Sequence, residues 1–366
     1  MNDMKYALIG CGRISQNHLS AAIENGLRVE ALCDIYPQAM ESLAANSGLE
    51  RARMYTDYRE MLDKEDLDLV AITTKSSHHA ASTLDCIDKG VHIIVEKPMA
   101  LSLADADAII QESARKNVKV CSCHQNRFNK PIQKVRSALE NGDFGRMMYA
   151  SATIRWSKNR DYYKQAAWRG TWEEDGGALM NQCIHNIDLL RWMMGDGIVE
   201  VFAYTDQLVH NYIEAEDFGM AVIKFANGGY GAVEGTTTIY PANLEETLCL
   251  FGTEGTVKIG GEALNRIEHW NMKGSTENAE SLQKQFSEQP SNIYGFGHTP
   301  LYKDMIRAIC DNRKPYVDAV DGRNAIELVL AIYESSAQGR PVTLPLSNLA
   351  SKDFIGRFGQ PARKEA

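Results

Sequence analysis

A lysine and a histidine, far apart in the chain, carry the side chains best suited to chemistry. Lys97 stands immediately before Pro98, and His185 shares a predicted helix face with Asn181 and Asp188. An imidazole with an ordinary pKa of about 6.5 accepts a proton at neutral pH, and an ammonium group stabilises negative charge that develops on an oxygen. The two side chains therefore suit a base and an electrostatic stabiliser. The competing interpretation is that Asn181 and His185 are satisfied core residues, because a buried polar stripe must be paired or used.

The stretch before Lys97 predicts the element that positions it. Residues His92–Val95 are apolar and mostly β-branched, which favours a strand covered on both faces, as in a parallel sheet. Open α/β sheets bind their ligands beyond the carboxyl ends of the strands, and Lys97 falls at such an end. Strands and helices alternate from residue 5 to about residue 122, which predicts a doubly wound parallel sheet.

The first strand of that sheet leads directly into a glycine turn. Lys5–Ile9 is followed by Gly10 and Gly12, and a helix is predicted from about residue 14 to residue 24. Gly10 permits a tight turn, and Gly12 lets the backbone approach a pyrophosphate at the helix N-terminus. Ser15 replaces the third glycine of this fingerprint but is small enough for close packing. On its own, the pattern could equally be an ordinary turn.

A carboxylate ends the second predicted strand, Arg28–Cys33. Asp34 lies about 20 residues after Gly12, where a carboxylate bonds the adenine ribose hydroxyls. Alternatively, it caps the helix that begins at Pro37. Because a carboxylate repels a 2′-phosphate, NAD is favoured over NADP, although Arg13 could still help to bind a phosphate.

The loop after the buried strand Asp68–Ile72 is expected on the nicotinamide side of the cofactor cleft. His79 in this region either contacts the cofactor or caps the next helix. The predicted cofactor-binding residues are Gly10, Gly12, Arg13, Ile14, Asp34, Thr73, Thr74, His79, Glu96 and Lys97.

Beyond residue 122 the pattern changes to long stretches with a period of two. Phe218–Phe225 alternates apolar with polar residues, and turn signals such as Gly252–Gly255 separate the stretches. We predict a dinucleotide-binding α/β domain at residues 1–122 and an α+β domain at residues 123–366 with one large, open, mostly antiparallel sheet. Its broad face must be covered by helices or by another subunit, so we expect a homodimer or homotetramer. The polar segment Gly274–Asn292 is predicted to be a loop.

Composition narrows the function further. The net charge of −9 argues against a nucleic-acid partner, and no apolar run approaches the roughly 20 residues of a membrane span. The eight cysteines are scattered without metal-ligand spacing, so no metal site is predicted. The first residues run straight into a strand, so we expect no signal peptide and a reduced, cytoplasmic protein.

Four motifs together resemble the glucose–fructose oxidoreductase / inositol dehydrogenase (Gfo/Idh/MocA) family. They are Gly10–Ser15, Glu96–Pro98, Gly176–Asp188 and the tail Gly322–Pro345. The resemblance covers nearly the whole chain. It implies an N-terminal Rossmann domain, a C-terminal domain with an open sheet, and NAD(P)-dependent oxidation or reduction of sugars and cyclitols. It also implies that Lys97 and His185 line the reacting carbon.

The chain departs from this family in two places. Many members have Asp where Asn181 stands, and Asn cannot carry a proton, so a Lys–Asp–His relay is in doubt and His185 would act with Lys97 alone. The loop that often reads Thr-Pro-Asn is Thr74-Lys75-Ser76 here, which leaves its cofactor contacts open.

Asn181-Gln182 together with Trp168–Gly170 is most similar to members that oxidise C3 of UDP-N-acetylglucosamine or its uronic acid. Four basic residues could hold a pyrophosphate or a carboxylate, or form an ordinary solvated face: Arg155, Lys158, Arg160 and Arg169. The predicted substrate-binding residues are Asn126, Arg127, Trp168, Arg169, Asn181 and His185.

Three functions remain open at this point. The leading hypothesis is an NAD-dependent dehydrogenase that acts on a ring hydroxyl of a nucleotide sugar, a free sugar or an inositol. The second is a hydrolase of the same family that keeps NAD bound and cleaves a glycoside through transient oxidation at C3. The third is a non-enzymatic NAD-binding regulator, which the presence of both Lys97 and His185 argues against.

Overall fold

The computed structural model describes residues 3–49, 51–195, 197–261, 263–288 and 295–359. These residues form two compact units. The first contains the described residues of Met1–Gln125 together with Gly297–Arg323, and the second those of Asn126–Phe296 and Asn324–Ala366. The first unit therefore includes a segment from late in the chain, which a single boundary after residue 122 leaves out.

The elements alternate in the first third of the chain and then change to successive strands. In chain order the strands are β1 (Lys5–Ile9), β2 (Arg28–Cys33), β3 (Arg53–Tyr55), β4 (Leu69–Ile72), β5 (His92–Val95), β6 (Val120–Ser122), β7 (Met147–Arg155), β8 (Ile198–Asp206), β9 (Phe218–Phe225), β10 (Tyr230–Thr236), β11 (Glu245–Gly252), β12 (Gly255–Gly260), β13 (Arg266–Met272) and β14 (Val342–Thr343). The α-helices are α1 (Ser15–Glu24), α2 (Pro37–Ser47), α3 (Tyr58–Lys64), α4 (Ser76–Asp88), α5 (Leu103–Lys116), α6 (Lys130–Glu140), α7 (Arg160–Lys164), α8 (Ile184–Met194), α9 (Ala279–Phe286), α10 (His298–Cys310) and α11 (Ala319–Gln338).

The first unit is built on a six-stranded sheet with the order β3-β2-β1-β4-β5-β6. Every neighbouring pair is parallel. The central strand β4 is buried at all four positions, as expected for a strand covered by helices on both faces. The predicted doubly wound parallel sheet is confirmed, and α10 packs against α1 as an additional helix of this unit.

The second unit is built on an eight-stranded sheet with the order β13-β12-β11-β7-β10-β9-β8-β14. Its pairs are antiparallel except for β7 and β10, which are parallel. Strand β9 alternates buried and exposed side chains, because one face of the sheet meets the core and the other does not. The predicted open, mostly antiparallel sheet is confirmed, and α8 packs against β7, β10 and β11.

The prediction of a loop over Gly274–Asn292 is wrong for part of that segment. Helix α9 begins there with a reciprocal cap, in which the Ser281 amide donates to the Asn278 side chain and the Asn278 amide approaches the Ser281 hydroxyl. Leu282 is the buried side chain of this helix. Residues 289–294 lie outside the described residues.

Among the described helices, none combines the length and the apolar character that a membrane crossing requires.

Candidate functional site

The glycine turn after β1 has the geometry that only glycine permits. Gly10 has φ of +97°, and a Cβ there would lie 2.7 Å from the carbonyl carbon of Thr73. Thr73 in turn donates its hydroxyl to the Gly10 carbonyl, which ties the ends of β1 and β4 together. At Gly12, by contrast, no atom of the described residues other than its own chain neighbours lies within 4 Å of a Cβ position. The turn is therefore packed against Thr73 at Gly10 and open at Gly12, where a ligand would approach.

Helix α1 starts directly after this turn and is suited to an anion. Ser15 is buried, and its hydroxyl donates to the Gly12 carbonyl at 2.6 Å, so serine fits the place of the third glycine. Ile14 precedes the helix, Arg13 is exposed beside it, and the first turn carries no acidic side chain. Backbone N–H groups at such a helix start favour a phosphate.

Asp34 lies at the carboxyl end of β2, beside the glycine turn. Its carboxylate accepts the backbone N–H of Cys11 at 2.7 Å and that of Tyr36 at 2.9 Å. The side chain is partly exposed, and the neighbouring Ile35 and Tyr36 are largely exposed. The two amides hold the Asp34 carboxylate at the edge of the sheet where a ribose would lie. The residues present therefore fit a dinucleotide.

His79 is buried between two backbone segments. Its Nδ1 lies 2.7 Å from the Pro98 carbonyl oxygen, and its Nε2 lies 3.0 Å from that of Thr74. Burial lowers the pKa of His79, although both carbonyls act in the opposite direction. Both ring nitrogens thus lie within hydrogen-bonding distance of a carbonyl oxygen. The structure thus gives His79 a role in joining two loops, and its contact with the cofactor stays a prediction.

Glu96 turns its carboxylate into the first unit. Its Oε1 lies 2.9 Å from Nε2 of His18, and its Oε2 accepts the backbone N–H of Lys97 at 3.1 Å. Burial alone would raise the pKa of Glu96, but the hydrogen bonds to His18 and His298 and the charges of His18 and Lys97 outweigh burial and hold this pKa well below its usual range. The carboxylate is therefore ionised and directed at protein groups, and a direct contact with the cofactor stays a prediction.

In the second unit, the segment that carries His185 begins at a glycine. Gly177 has φ of +97°, and a Cβ there would overlap the carboxyl of Glu216. Leu179–Cys183 then forms a π-helical turn, and α8 follows. The sequence predicts a single α-helix over residues 178–194, which is wrong for its first turns. Because a π turn holds more residues than an α turn, the i, i+4 spacing of Asn181 and His185 does not by itself define a shared face.

The sheet beneath this π turn is lined with glycine. A Cβ at Gly235 would lie 2.5 Å from a methyl carbon of Leu179 and 2.8 Å from the sulfur of Cys183. A Cβ at Gly219 would likewise lie 2.7 Å from Leu179. These glycines have ordinary backbone angles, so their requirement comes from the close approach of the helix to the sheet.

Asn181 contacts a carboxylate. Its amide nitrogen donates to Asp175, and its amide oxygen accepts from Gln182 at 2.6 Å. Asp175 is buried and also accepts the Gly170 amide at 2.6 Å. A carboxyl group therefore lies next to Asn181, although the side chain at position 181 itself cannot titrate.

Arg127 has a structural partner in the second unit. Its guanidinium is 1% exposed and donates two hydrogen bonds to Asp188, at 2.7 and 2.6 Å. The ring of Trp192 lies 4.8 Å from the guanidinium carbon. Asp188 therefore belongs to a buried ion pair, and a substrate contact by Arg127 stays a prediction. Asn126 is buried at the start of the same unit.

The four candidate basic residues differ in their surroundings. Arg155 donates to both Glu234 and Glu245, so its charge is neutralised within the sheet. The other three lie over aromatic rings: Lys158 over Trp156 and Tyr162, Arg160 over Tyr212, and Arg169 over Tyr162 and Trp168.

The hydroxyl of Tyr162 links this cation–aromatic cluster to the π turn. It accepts a hydrogen bond from the Arg169 guanidinium and another, at 2.9 Å, from the Gln182 amide. Gln182 in turn donates to Asn181. A continuous set of contacts thus runs from the arginine to the segment that precedes His185.

The predicted site residues divide between the two units. Those in the first unit are Gly10, Gly12, Arg13, Ile14, Asp34, Thr73, Thr74, His79, Glu96 and Lys97. Those in the second unit are Asn126, Arg127, Trp168, Arg169, Asn181 and His185.

Three residues that the sequence analysis did not single out take part in these arrangements: His18, Tyr162 and Glu216. His18 interrupts the apolar face of a predicted helix, and Tyr162 stands between basic residues. Glu216 lies in the acidic stretch Glu214–Asp217 before β9. A polar residue in an apolar pattern is the signal that could have identified His18, because burying it is costly without a partner.

Comparison with known proteins agrees with this architecture. Residues 4–124 match the family model described as "Oxidoreductase family, NAD-binding Rossmann fold", and residues 132–258 match "GFO/IDH/MocA C-terminal domain". The myo-inositol 2-dehydrogenase of Thermotoga maritima is 24% identical over 349 residues, which cover 93% of this chain and 98% of that protein.

Two crystal structures are similar over nearly their full length. The WlbA dehydrogenase of Bordetella pertussis, in complex with NADH and UDP-GlcNAcA, is 34% identical with a TM-score of 0.87, covering 94% of this chain and 99% of that chain. WlbA of Chromobacterium violaceum, in complex with the same two ligands, is 34% identical with a TM-score of 0.86, covering 95% and 97%. The resemblance drawn from four sequence motifs is confirmed: the chain belongs to the GFO/IDH/MocA family of oxidoreductases, whose N-terminal domain is an NAD-binding Rossmann fold.

Proposed function

We propose that this protein is an NAD-dependent dehydrogenase that oxidises a ring hydroxyl carbon of a nucleotide sugar, at C3 of a UDP-N-acetylhexosamine or its uronic acid. The arrangement of Arg169, Tyr162 and Gln182 carries the substrate assignment, because it connects a cationic cluster to the segment before His185. The similarity to the two WlbA dehydrogenases, which were crystallised with UDP-GlcNAcA, supports the same substrate class.

The proposed chemistry needs two side chains at the reacting carbon. Bound nicotinamide supplies the hydride acceptor. His185 takes the hydroxyl proton, which an imidazole does at neutral pH. Lys97 donates a hydrogen bond to the same oxygen and stabilises the negative charge that develops there. Asn181 cannot take a proton and instead orients its neighbours through Asp175 and Gln182.

The decisive experiment follows NADH formation by its near-ultraviolet absorbance. Purified protein and NAD are mixed with UDP-N-acetylglucosamine, its uronic acid, free sugars and inositols. We expect NADH with a UDP-N-acetyl sugar. NADH with inositols or free sugars alone would refute the substrate class while keeping the dehydrogenase assignment.

The cationic cluster can be tested with a matched pair of arginine variants. Arg169→Ala should raise KM for the UDP-sugar by about tenfold, the size expected for losing one charge-assisted hydrogen bond. Arg155→Ala is the control, because Glu234 and Glu245 already neutralise that guanidinium. Equal effects on KM in the two variants would contradict the assignment.

The cofactor preference rests on Asp34. Its carboxylate, fixed by the amides of Cys11 and Tyr36, favours ribose hydroxyls over a 2′-phosphate. We expect kcat/KM to be higher with NAD than with NADP, and Asp34→Ala to reduce that preference by about tenfold. A wild-type preference for NADP would overturn this part of the proposal.

The alternative hydrolase is not favoured, because the two WlbA structures and the myo-inositol 2-dehydrogenase, which match nearly the whole chain, are named dehydrogenases. Release of a chromophore from an aryl glycoside, without net NADH, is the result that would support it.

We also propose that a second copy of this chain covers the outer face of the eight-stranded sheet, giving a homodimer or homotetramer. That face exposes large apolar side chains on adjacent strands: Tyr204, Met220, Val222 and Tyr230. Val222→Glu should lower the mass measured by light scattering, whereas the same change at the equally exposed Val209, which lies outside the strands, should not. A monomeric wild-type protein would refute this proposal.

A further inference from the structure

A buried carboxyl group connects the loop that carries Arg169 to the π turn. One oxygen of Asp175 accepts the backbone N–H of Gly170 at 2.6 Å, and the other accepts the side-chain amide of Asn181. Asp175 is 5% exposed and Asn181 is 9% exposed, so both side chains of the second contact are buried. All four residues belong to the second unit.

These two hydrogen bonds close a ring of contacts. The Gln182 amide donates to the Asn181 oxygen at 2.6 Å and to the Tyr162 hydroxyl at 2.9 Å. The same hydroxyl accepts from the guanidinium of Arg169, the residue that precedes Gly170. The contacts therefore return to the loop from which they start. This polar ring comprises six residues: Tyr162, Arg169, Gly170, Asp175, Asn181 and Gln182.

Asp175 fixes the orientation of the amides in the polar ring. Because both of its oxygens accept N–H groups, Asn181 must turn its amide nitrogen towards Asp175 and its amide oxygen towards Gln182. Gln182 must then present its own nitrogen to that oxygen. The buried end of the polar ring thus determines how the half-buried end is arranged around Tyr162.

The backbone at both ends of the polar ring is held by other contacts. At Gly170, φ is +73° and a Cβ would lie 2.7 Å from Ile213, so glycine is required there. In the π turn, the Leu179 amide donates to Glu216 at 2.7 Å. Because the backbone is fixed at these points, Asp175 acts on the side chains between them.

We propose that Asp175 is a positioning residue that, through the polar ring, fixes the distance between the substrate group bound by Arg169 and the segment that leads to His185. A displacement of about 1 Å in a bound substrate can lower a rate by about 100-fold, so a fixed distance selects substrates of one length. This inference rests on the proposed function, since the roles of Arg169 and His185 are assigned there.

The test is a reciprocal exchange of the two buried side chains. Asp175→Asn alone turns an amide nitrogen towards an N–H donor, and Asn181→Asp alone opposes two carboxyl groups. Each single variant should lower kcat/KM for the UDP-sugar by about tenfold, the size expected for one lost hydrogen bond.

The double variant Asp175→Asn/Asn181→Asp again pairs one donor with one acceptor and keeps an acceptor for the Gly170 amide. It should return kcat/KM to within about threefold of the wild-type value. Independent effects, which would leave the double variant impaired by about 100-fold, would overturn the inference.

A merely structural role predicts a different result. Asp217→Asn is the matched control, because Asp217 is a fully buried carboxyl of the same unit that accepts the backbone amides of Leu208, Val209 and His210. This control should lower the melting temperature and leave kcat/KM unchanged. The same pattern in Asp175→Asn would show that its carboxyl only stabilises the fold, and the inference would fail.

Binding of UDP alone separates this inference from the proposed function. Titration calorimetry with UDP, in the presence of NADH, reports on the Arg169 end of the polar ring without turnover. Asp175→Asn should weaken UDP binding by about tenfold, and the double variant should restore it. Unchanged UDP affinity in folded Asp175→Asn would overturn the inference alone. A wild-type protein that does not bind UDP would instead overturn the proposed substrate class, and this inference with it.

Discussion

Each unit buries a glutamate beside the segment that carries a proposed catalytic side chain, and the two glutamates differ in charge. Glu96 accepts a hydrogen bond from His18, and although burial alone would raise its pKa, hydrogen bonds to His18 and His298 and the charges of His18 and Lys97 hold that pKa well below the usual range. Glu216 accepts the Leu179 amide and the Tyr333 hydroxyl, both at 2.7 Å, but burial raises its pKa to about 8.

The difference shows that hydrogen-bond donors alone do not ionise a buried carboxyl. Both glutamates accept hydrogen bonds, but the charges of His18 and Lys97 lower the pKa of Glu96, whereas the charge of Asp175 raises that of Glu216. Neutral Glu216 therefore fixes the position of the π turn without adding a charge beneath it.

The largest expected effect tests whether both units supply a catalytic group. Lys97→Ala and His185→Ala should each lower turnover by at least about 100-fold, the scale of general acid–base catalysis. Steady-state NADH formation with the identified substrate measures this, with unchanged thermal melting as the control. A loss of only a few-fold in both variants would contradict the roles given to them.

A smaller effect tests the neutral state of Glu216. Its pKa is about 8 in the folded protein against 4.5 ordinarily, so its contribution to stability is complete below pH 4.5 and is lost as pH rises towards 8. Glu216→Gln should therefore weaken the fall in the free energy of unfolding between pH 5 and pH 8, by a few kcal/mol at most. Denaturant titration at several pH values measures the slope. The wild-type slope in the variant would mean that Glu216 is ionised, and the contrast with Glu96 would fail.

Glu246 also contributes to the pH dependence of the free energy of unfolding. Burial raises its pKa to about 8 as well, so it contributes a slope of the same sign. Glu216→Gln should remove only part of the wild-type dependence, and adding Glu246→Gln should remove more. Complete loss of the slope in the single variant would assign the whole dependence to Glu216.

The smallest expected effect isolates one donor to Glu216. Tyr333→Phe removes the hydroxyl that donates to Glu216 and accepts the Met180 amide, which should cost about 1–3 kcal/mol of unfolding free energy. Because the Leu179 amide still holds the carboxyl, kcat should change less than threefold. A loss of turnover as large as in His185→Ala would show that the π turn depends on this hydroxyl.

Sequence patterns predict those parts of the candidate site that depend on residues close together in the chain. Gly10 and Asp34 follow strands in the order that a dinucleotide fold requires, and both lie where that pattern predicts. The partners of Glu96 and Glu216 could not be found in this way. His18 is 78 positions from Glu96, and Tyr333 is 117 positions from Glu216, so only the folded chain brings them together.

The helix face predicted from periodicity is wrong where the backbone is irregular. The spacing of Asn181, His185 and Asp188 suggested one functional stripe, but the π turn intervenes and Asp188 pairs with Arg127. An α-helical pattern contains no signal for the extra residue of a π turn. The basic residues also cannot be told apart from the sequence. Only the structure shows that a glutamate neutralises Arg155, whereas Arg169 lies over an aromatic ring.

The position of α10 has a consequence for how the protein is made. Tyr302 lies 296 positions after Tyr6, and it completes the hydrogen bonds of both Tyr6 and His18. During synthesis from the N-terminus, the parallel sheet emerges long before the helix that covers this part of it. The first unit therefore cannot reach its final form on the ribosome until the strands of the second unit have already been translated. In a chain terminated after residue 122, His18 would lack its partner Tyr302. A chaperone or a neighbouring apolar surface would then have access to His18.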